Sequence, residues 1–580
     1  TRAADVLNTV QVNIGDNTQY GDASKGATIR GNIFGCNNIA GSPRGDVHVD
    51  IYSTAHEAGD GISTGNVFPA TLKEKAADVD ILDTLDVEAL SAEEKTSLTA
   101  VARFALGEVY GGGNKADYVP ASASNTTGVT VHECEENTIQ YVYGGGRAAD
   151  IGNNSIAAST TVHIEGGHIK QVFAGGDGHT TDGGGNYLAA NIKGDASVTI
   201  EGGLIEQVFG GSNTTGMVEG TARVTFEPVI SCDLLLDEAF GGGNRAPGGG
   251  TVVTIPCGFK GSKVVYGGAN EATITGDVLL NIEGGTLTRA FGGSKSATIN
   301  GNVTVNVYGG SIDELFGGND ESGNITGTIE VNVDWGLNSC PDDTSLHYVY
   351  GGGYKAPYEP TGSYGPVTSG EVTYFTPVVN IIQATVDTAV FGGGYGVGTS
   401  TSTDAHIDAN PKVVIGAYRV KDHAGNTIDE QPNNHVRIGT GKNELGRTLA
   451  GNVFGGGNAG PVNGSPKVVI QGSDTKLWHS VYGGGNAAMV KGNPDVEIGG
   501  DVKLSVPKVA QSGSTVTLTS REGATIYYTT DGSTPTTSSI EYSAPLTGLA
   551  AGTVVKAIAY KADFKGPEKT SGVVTYTVSE

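Results

Sequence analysis

Cysteine is scarce in this chain of 580 residues: Cys36, Cys134, Cys232, Cys257 and Cys340 are too few and too scattered for a disulfide framework. None forms a CxxC pair, which excludes the commonest zinc and redox signatures. Basic residues are also few, 35 Lys and Arg against 62 Asp and Glu, for a formal charge of −27. With no basic stripe to neutralise phosphates, nucleic acid is excluded as a partner. No apolar run approaches the roughly 20 residues of a membrane-spanning helix. Proline is sparse (20) and no Gly-X-Y period exists, so the 93 glycines do not make a collagen. Nor is the chain a disordered linker, because Val, Ile and aromatic residues return on a regular pattern.

That pattern is an aromatic residue followed by two glycines. It begins in degenerate form at Phe34 and recurs at Tyr110, Tyr143, Phe173, Phe209, Phe240, Tyr266, Phe291, Phe316, Tyr350, Phe391, Phe454 and Tyr482. These thirteen copies are 25 residues apart from Tyr266 to Phe291 to Phe316 and farther apart elsewhere. Each unit holds a strand such as "VTVNV", a Gly-Gly corner, a strand such as "SIDELF", a second glycine corner and a short "ATIT" or "ATIN" strand. Period-2 alternation places Val, Ile and the aromatic on one face and Asn, Thr or Glu on the other. Glycine at the corners supplies positive φ and close backbone approach. Three short strands and three corners per turn describe one coil of a parallel β-helix. The fold class expected is therefore all-β: a solenoid over 1–505, its aromatic residues filling the interior, about 60 Å long at strand spacing. A propeller is the runner-up, but 25 residues is short for a blade.

Insertions interrupt the array at about 70–107, 354–375 and 396–452. The first contains "SAEEKTSLTAVARFALG", a helix with Ser91 as N-cap, Glu94 completing a capping box and Gly107 at its end. The third carries "PKVVIGAY" and "HVRIG" around "KDHAGN", read as a hairpin, with Arg419, Lys421 and Asp422 as its mixed charges. From 506 to 580 the glycine corners stop, and short alternating strands with turns every 8–12 residues imply a small Ig-like β-sandwich. The segments "IYYTTDGSTPT" (Ile526–Thr536), "YSAPL" (Tyr542–Leu546) and "VKAIAYKADF" (Val555–Phe564) resemble the chitobiase/β-hexosaminidase C-terminal-type domain, an accessory module of secreted bacterial glycan-active proteins. The repeated "VFGGGN" in turn resembles glycine-rich, adhesin-like β-helices of bacterial surfaces. These resemblances imply export and a module without catalysis; they transfer no active site.

Candidate site residues fall into two groups. Reading "VHIEGG", "VTIEGG" and "VTFEP" in register puts Glu165, Glu201 and Glu227 on successive coils, followed at the same place by Pro256, Glu283, Tyr308 and Asp334. Stacked carboxylates repel unless solvated or bridged by a cation, so this is a solvated ladder, a Ca²⁺ site or, less readily, a retaining-glycosidase pair. Calcium is the one cofactor the sequence brings into question. His163, His168 and His179 near Asp177 and Asp182 match no zinc spacing and read as surface histidines. The second group is aromatic: Tyr354, Tyr358, Tyr364 and Tyr374 crowd one insertion, with Tyr395 one coil on. Exposed tyrosines stack on sugar rings, although loop staples would look the same. Cys232 and Cys257 lie one 25-residue coil apart and would be within disulfide reach if in register.

These observations lead to an exported, cell-surface, adhesin-like or structural protein. It would be a monomer that binds glycan or a surface ligand through the flank formed by the second and third insertions. The chain begins at Thr1 rather than Met, so a leader or anchor is expected to have been removed. A polysaccharide-active β-helix enzyme and a passive stalk are the alternatives.

Overall fold

A computed structural model describes residues 5–18, 26–55, 104–132, 137–180, 187–229, 232–260, 262–340, 344–397, 404–421, 426–430, 435–439, 450–472, 474–498, 506–520, 524–562 and 569–579. The repeat folds as a parallel β-helix. Each "VTVNV"-type strand pairs with its equivalent one coil away: Val278 with Val303, Val303 with Ile329, Val305 with Val331. These strands run in one sheet from Val10–Ile14 to Asp495–Ile498, fourteen in succession among the described residues, with Val436–Ile438 and Thr475–Leu477 branching off beside them. The "SIDELF"-type strands form a second parallel sheet of thirteen, from Ile29–Phe34 to Val481–Tyr482. The expected third strand shrinks to single bridges, Ile192 to Val218 to Gly248 to Ile274 to Ile299 to Ile325, still in column.

Alternation decides what each column does. In the first sheet, Val303, Val305 and Val307 are buried while Thr304 and Asn306 lie partly exposed between them. The inward columns merge with Leu280, Leu315, Ile299 and their equivalents into one continuous aliphatic core. In the second sheet, neighbours Leu315 and Phe316 are both buried, yet in different clusters. Successive strand side chains point to opposite faces, so the rings lie on the other side of the sheet from the aliphatic core. This corrects the expectation that the aromatic fills the interior. From Phe34 to Tyr482 thirteen rings stack in one column, with centroids 4.6–5.2 Å apart and planes within 13° of parallel. The spacing is that of the strands carrying them, so stacking follows from register.

The two glycine corners also differ in cause. After the first strand, Gly310 takes φ +91°, a region that penalises a side chain. After the aromatic, Gly317 does not; a Cβ there would sit 2.5 Å from the carbonyl oxygen of Gly351 on the next coil. Close approach between coils, not backbone handedness, demands glycine at that place.

Cys257 bonds to Cys340, with Cα atoms 5.4 Å apart, rather than to Cys232. Thr225 pairs with Thr254, so the coil between them is 29 residues long and a 25-residue step misses register. Cys340 follows the short 3₁₀ turn Trp335–Leu337, which leads off the end of a strand in register with Val307. The bridge therefore joins segments that leave strands three coils apart, the one after Leu337 running back past Glu283 to reach Cys257.

Residues 91–103 of the expected helix lie outside the described residues; its expected end, Leu106–Gly107, is strand in Leu106–Tyr110. In the third insertion the "KDHAGN" hairpin forms between Arg419–Lys421 and Thr427–Glu430. Its expected outer arms do not pair with each other: Lys412–Ile415 is a first-sheet strand, and Val436–Ile438 runs parallel to Ala384–Val386. Arg419 is not a surface charge; it is buried, its Nη2 2.8 Å from Asp334 Oδ1. Asp422 lies outside the described residues.

The C-terminal module is a separate antiparallel structure. Lys508–Ser512 pairs with Thr515–Thr519, and a four-stranded sheet orders Ile540–Glu541, Thr525–Thr529, Val554–Tyr560 and Val574–Thr577. Val516, Leu518, Ile526, Val555, Ala557 and Val578 form its own core.

Candidate functional site

The three glutamates stand where the sequence places them. Ile164, Ile200 and Phe226 pair in register, and each following glutamate amide donates to the coil before it. Imidazoles engage two of their carboxylates. Glu165 Oε1 lies 3.1 Å from His132 Nδ1, whose Nε2 is 2.8 Å from Asp50 Oδ1. Glu201 Oε1 is 2.6 Å from His163 Nε2. Burial disfavours the His132 cation, but the Asp50 hydrogen bond and the Glu165 carboxylate outweigh it and hold its pKa above the usual histidine value. His168 is not the surface histidine expected. It is buried near Phe104, and burial pushes its pKa down to about 4.

The five tyrosines separate into three roles. Tyr358 is a core residue, 1% exposed, its hydroxyl 2.8 Å from the Gly327 carbonyl oxygen and 2.7 Å from Thr376 Oγ1. Its place on the third face, in bridge with Ile407, turns the ring inward, so it offers no platform to a ligand. Tyr354 and Tyr395 cover the ring column: they stack on each other at 5.3 Å and meet Phe316 and Tyr350 edge-on at 5.8 Å each. The Arg289 guanidinium lies 4.7 Å from the Tyr354 ring centre, so that ring already has its contacts.

Tyr364 and Tyr374 remain. They meet edge to face at 5.8 Å, and Tyr374 is 52% exposed. The loop carrying them is fixed to the solenoid by buried Asn410. Its Oδ1 accepts from the Val367 amide at 2.9 Å, and its Nδ2 donates to the Gly365 carbonyl at 3.1 Å. Ser465, one coil on, donates its hydroxyl to the Val367 carbonyl.

Beside this loop lies a group that the sequence did not reveal. Glu359, His406 and Asp408 bring one ligand atom each to within 4.8 Å of one another, the one such group of three or more His, Cys, Asp or Glu among the described residues. Glu359 follows inward Tyr358, while His406 and Asp408 flank inward Ile407, and the Tyr358–Ile407 bridge sets the three outward side chains together. The signal was present as "YEP" and "HID", two outward acidic positions around register partners, but 47 residues separate Glu359 from His406.

The family described as Fn3 associated matches residues 516–578, the C-terminal module. No curated protein and no solved structure matches the chain. A fibronectin-like, Ig-type C-terminal domain is thus supported by both strand arrangement and sequence. No helix among the described residues is long and apolar enough to cross a membrane.

Proposed function

We propose that this is an exported, cell-surface, adhesin-like protein that binds glycan or a related surface ligand without catalysis. The observation that carries the reading is the Tyr364–Tyr374 pair: an exposed aromatic corner on a loop pinned by Asn410 to a rigid stack of coils. Recognition by irregular loops on a stiff scaffold is a recurrent arrangement, and tyrosine supplies stacking area at small entropic cost. The Cys257–Cys340 bridge supports export, since disulfides persist in oxidising compartments. The C-terminal module, read more finely as the chitobiase C-terminal type, fits a secreted glycan-associated protein.

A glycan stacked on two tyrosines gains on the order of 1–3 kcal/mol, short of the roughly 4 kcal/mol that a millimolar Kd needs, so further contacts and multivalent display are part of the reading. The test is a glycan array probed with the whole chain, with and without calcium, followed by the Tyr364→Ala/Tyr374→Ala double variant. Loss of binding with an unchanged melting temperature is the expected result. A variant that binds like the parent, or an array with no hit, overturns the glycan site.

A further inference from the structure

We propose that Glu359, His406 and Asp408 form a binding site for a divalent transition-metal ion of the zinc class. Three donors of two chemical kinds, one imidazole and two carboxylates, converge with ligand atoms within 4.8 Å of one another. His406 Nε2 already lies 2.8 Å from Glu359 Oε1. Two carboxylates of adjacent coils at this separation repel each other, and a divalent cation is the simplest charge that reverses the sign.

The donor set selects the metal. An imidazole nitrogen beside two carboxylate oxygens suits Zn²⁺ and its first-row neighbours, whereas Ca²⁺ takes oxygen ligands throughout. The side chains are also held from behind. Asn463, the next residue up this column, donates its Nδ2 to Asp408 Oδ1. The Glu359 backbone is bracketed by Asn324, which accepts from its amide at 2.7 Å and donates to its carbonyl at 2.8 Å. Such outer contacts orient ligands before a metal arrives. Three protein donors leave a fourth tetrahedral position open. Glu359 has about half its side chain exposed, which leaves that position facing solvent on the flank that Asn410, two residues past Asp408, ties to the Tyr364–Tyr374 loop. The open position would accept an oxygen donor from a bound molecule.

The inference does not depend on glycan binding, because the probe is zinc alone. Titration of the EDTA-treated whole chain with ZnCl₂, followed by calorimetry, should give one site. His406→Gln, Glu359→Gln and Asp408→Asn should each lower its affinity at least tenfold, and Asn463→Ala by about tenfold. Saturating zinc should raise the parent's melting temperature and leave that of His406→Gln unchanged. All four positions lie on the outer face, so melting curves without metal should match the parent. Failure of the parent to bind zinc overturns the proposal. So does a His406→Gln variant that binds as tightly as the parent, which would place the metal at other histidines such as His435 beside Asp474.

Discussion

Two buried columns run the length of the solenoid, and they obey different rules. Inside, the position of Leu315 is filled along the second sheet by Val172, Val208, Ala239, Val265, Ala290 and Val349, any aliphatic of small or medium size. One residue later, on the outer face, the position is always Phe or Tyr. The interior is closed on all sides, so a smaller side chain in one coil can be offset by a larger one nearby. In the ring column each ring stacks on one above and one below, and only a flat side chain fills a gap set by strand spacing. Tyrosine replaces phenylalanine where its hydroxyl finds a partner. Tyr110 donates to Glu108 at 3.0 Å, Tyr266 donates to Asp320 at 2.8 Å, and Tyr143 accepts from Asn213 at 3.1 Å.

The sharpest way to break this comparison lies between the columns. Gly317 follows Phe316, and a side chain there would enter the interior against the Gly351 carbonyl and Val331. Gly317→Val should cost about 4 kcal/mol or more, because backbone cannot give way, and hydrogen exchange should show the neighbouring coils opening. Phe316→Ala should cost about 3–5 kcal/mol in denaturant unfolding, while Leu315→Met should cost less than about 1.5. Equal costs at the two positions would erase the distinction between the columns. The Cys257–Cys340 bridge lies outside both; Cys257→Ser/Cys340→Ser should lower stability by about 2–4 kcal/mol while leaving both columns stacked, as aromatic circular dichroism would show.

The smallest effect concerns His132 on the outer face of the first sheet. Its pKa is held above the ordinary histidine value, so the folded state binds this proton more tightly than the unfolded chain. That stabilisation is complete below the unfolded value and is lost as pH rises through the folded one. Unfolding midpoints followed upward from about pH 6 should therefore decline in the parent and flatten in His132→Gln.

The repeat, the parallel β-helix and the register of Glu165, Glu201 and Glu227 were legible because strand alternation is written locally. What was not legible depends on which face a residue meets. Phe316 and Leu315 are both apolar, and sequence cannot say that one strand buries both of its faces. Tyr358 looked like its exposed neighbours, yet its bridge to Ile407 turns it inward. The Cys257 partner was missed because coil length varies, and Glu359 meets His406 only after an inserted loop closes. Each miss is a long-range placement that no short window carries.

The Cys257–Cys340 bridge also has a mechanical meaning. A solenoid pulled from its two ends peels coil by coil, since each coil is held only by the neighbours on either side. A covalent tie across 83 residues removes that stretch from the extensible length, about 280 Å of contour at the reach of an extended chain. Under load the oxidised protein should yield at both ends and stop at an inextensible clasp in its middle. Adding a reductant should release the missing length as a further step in the force–extension trace.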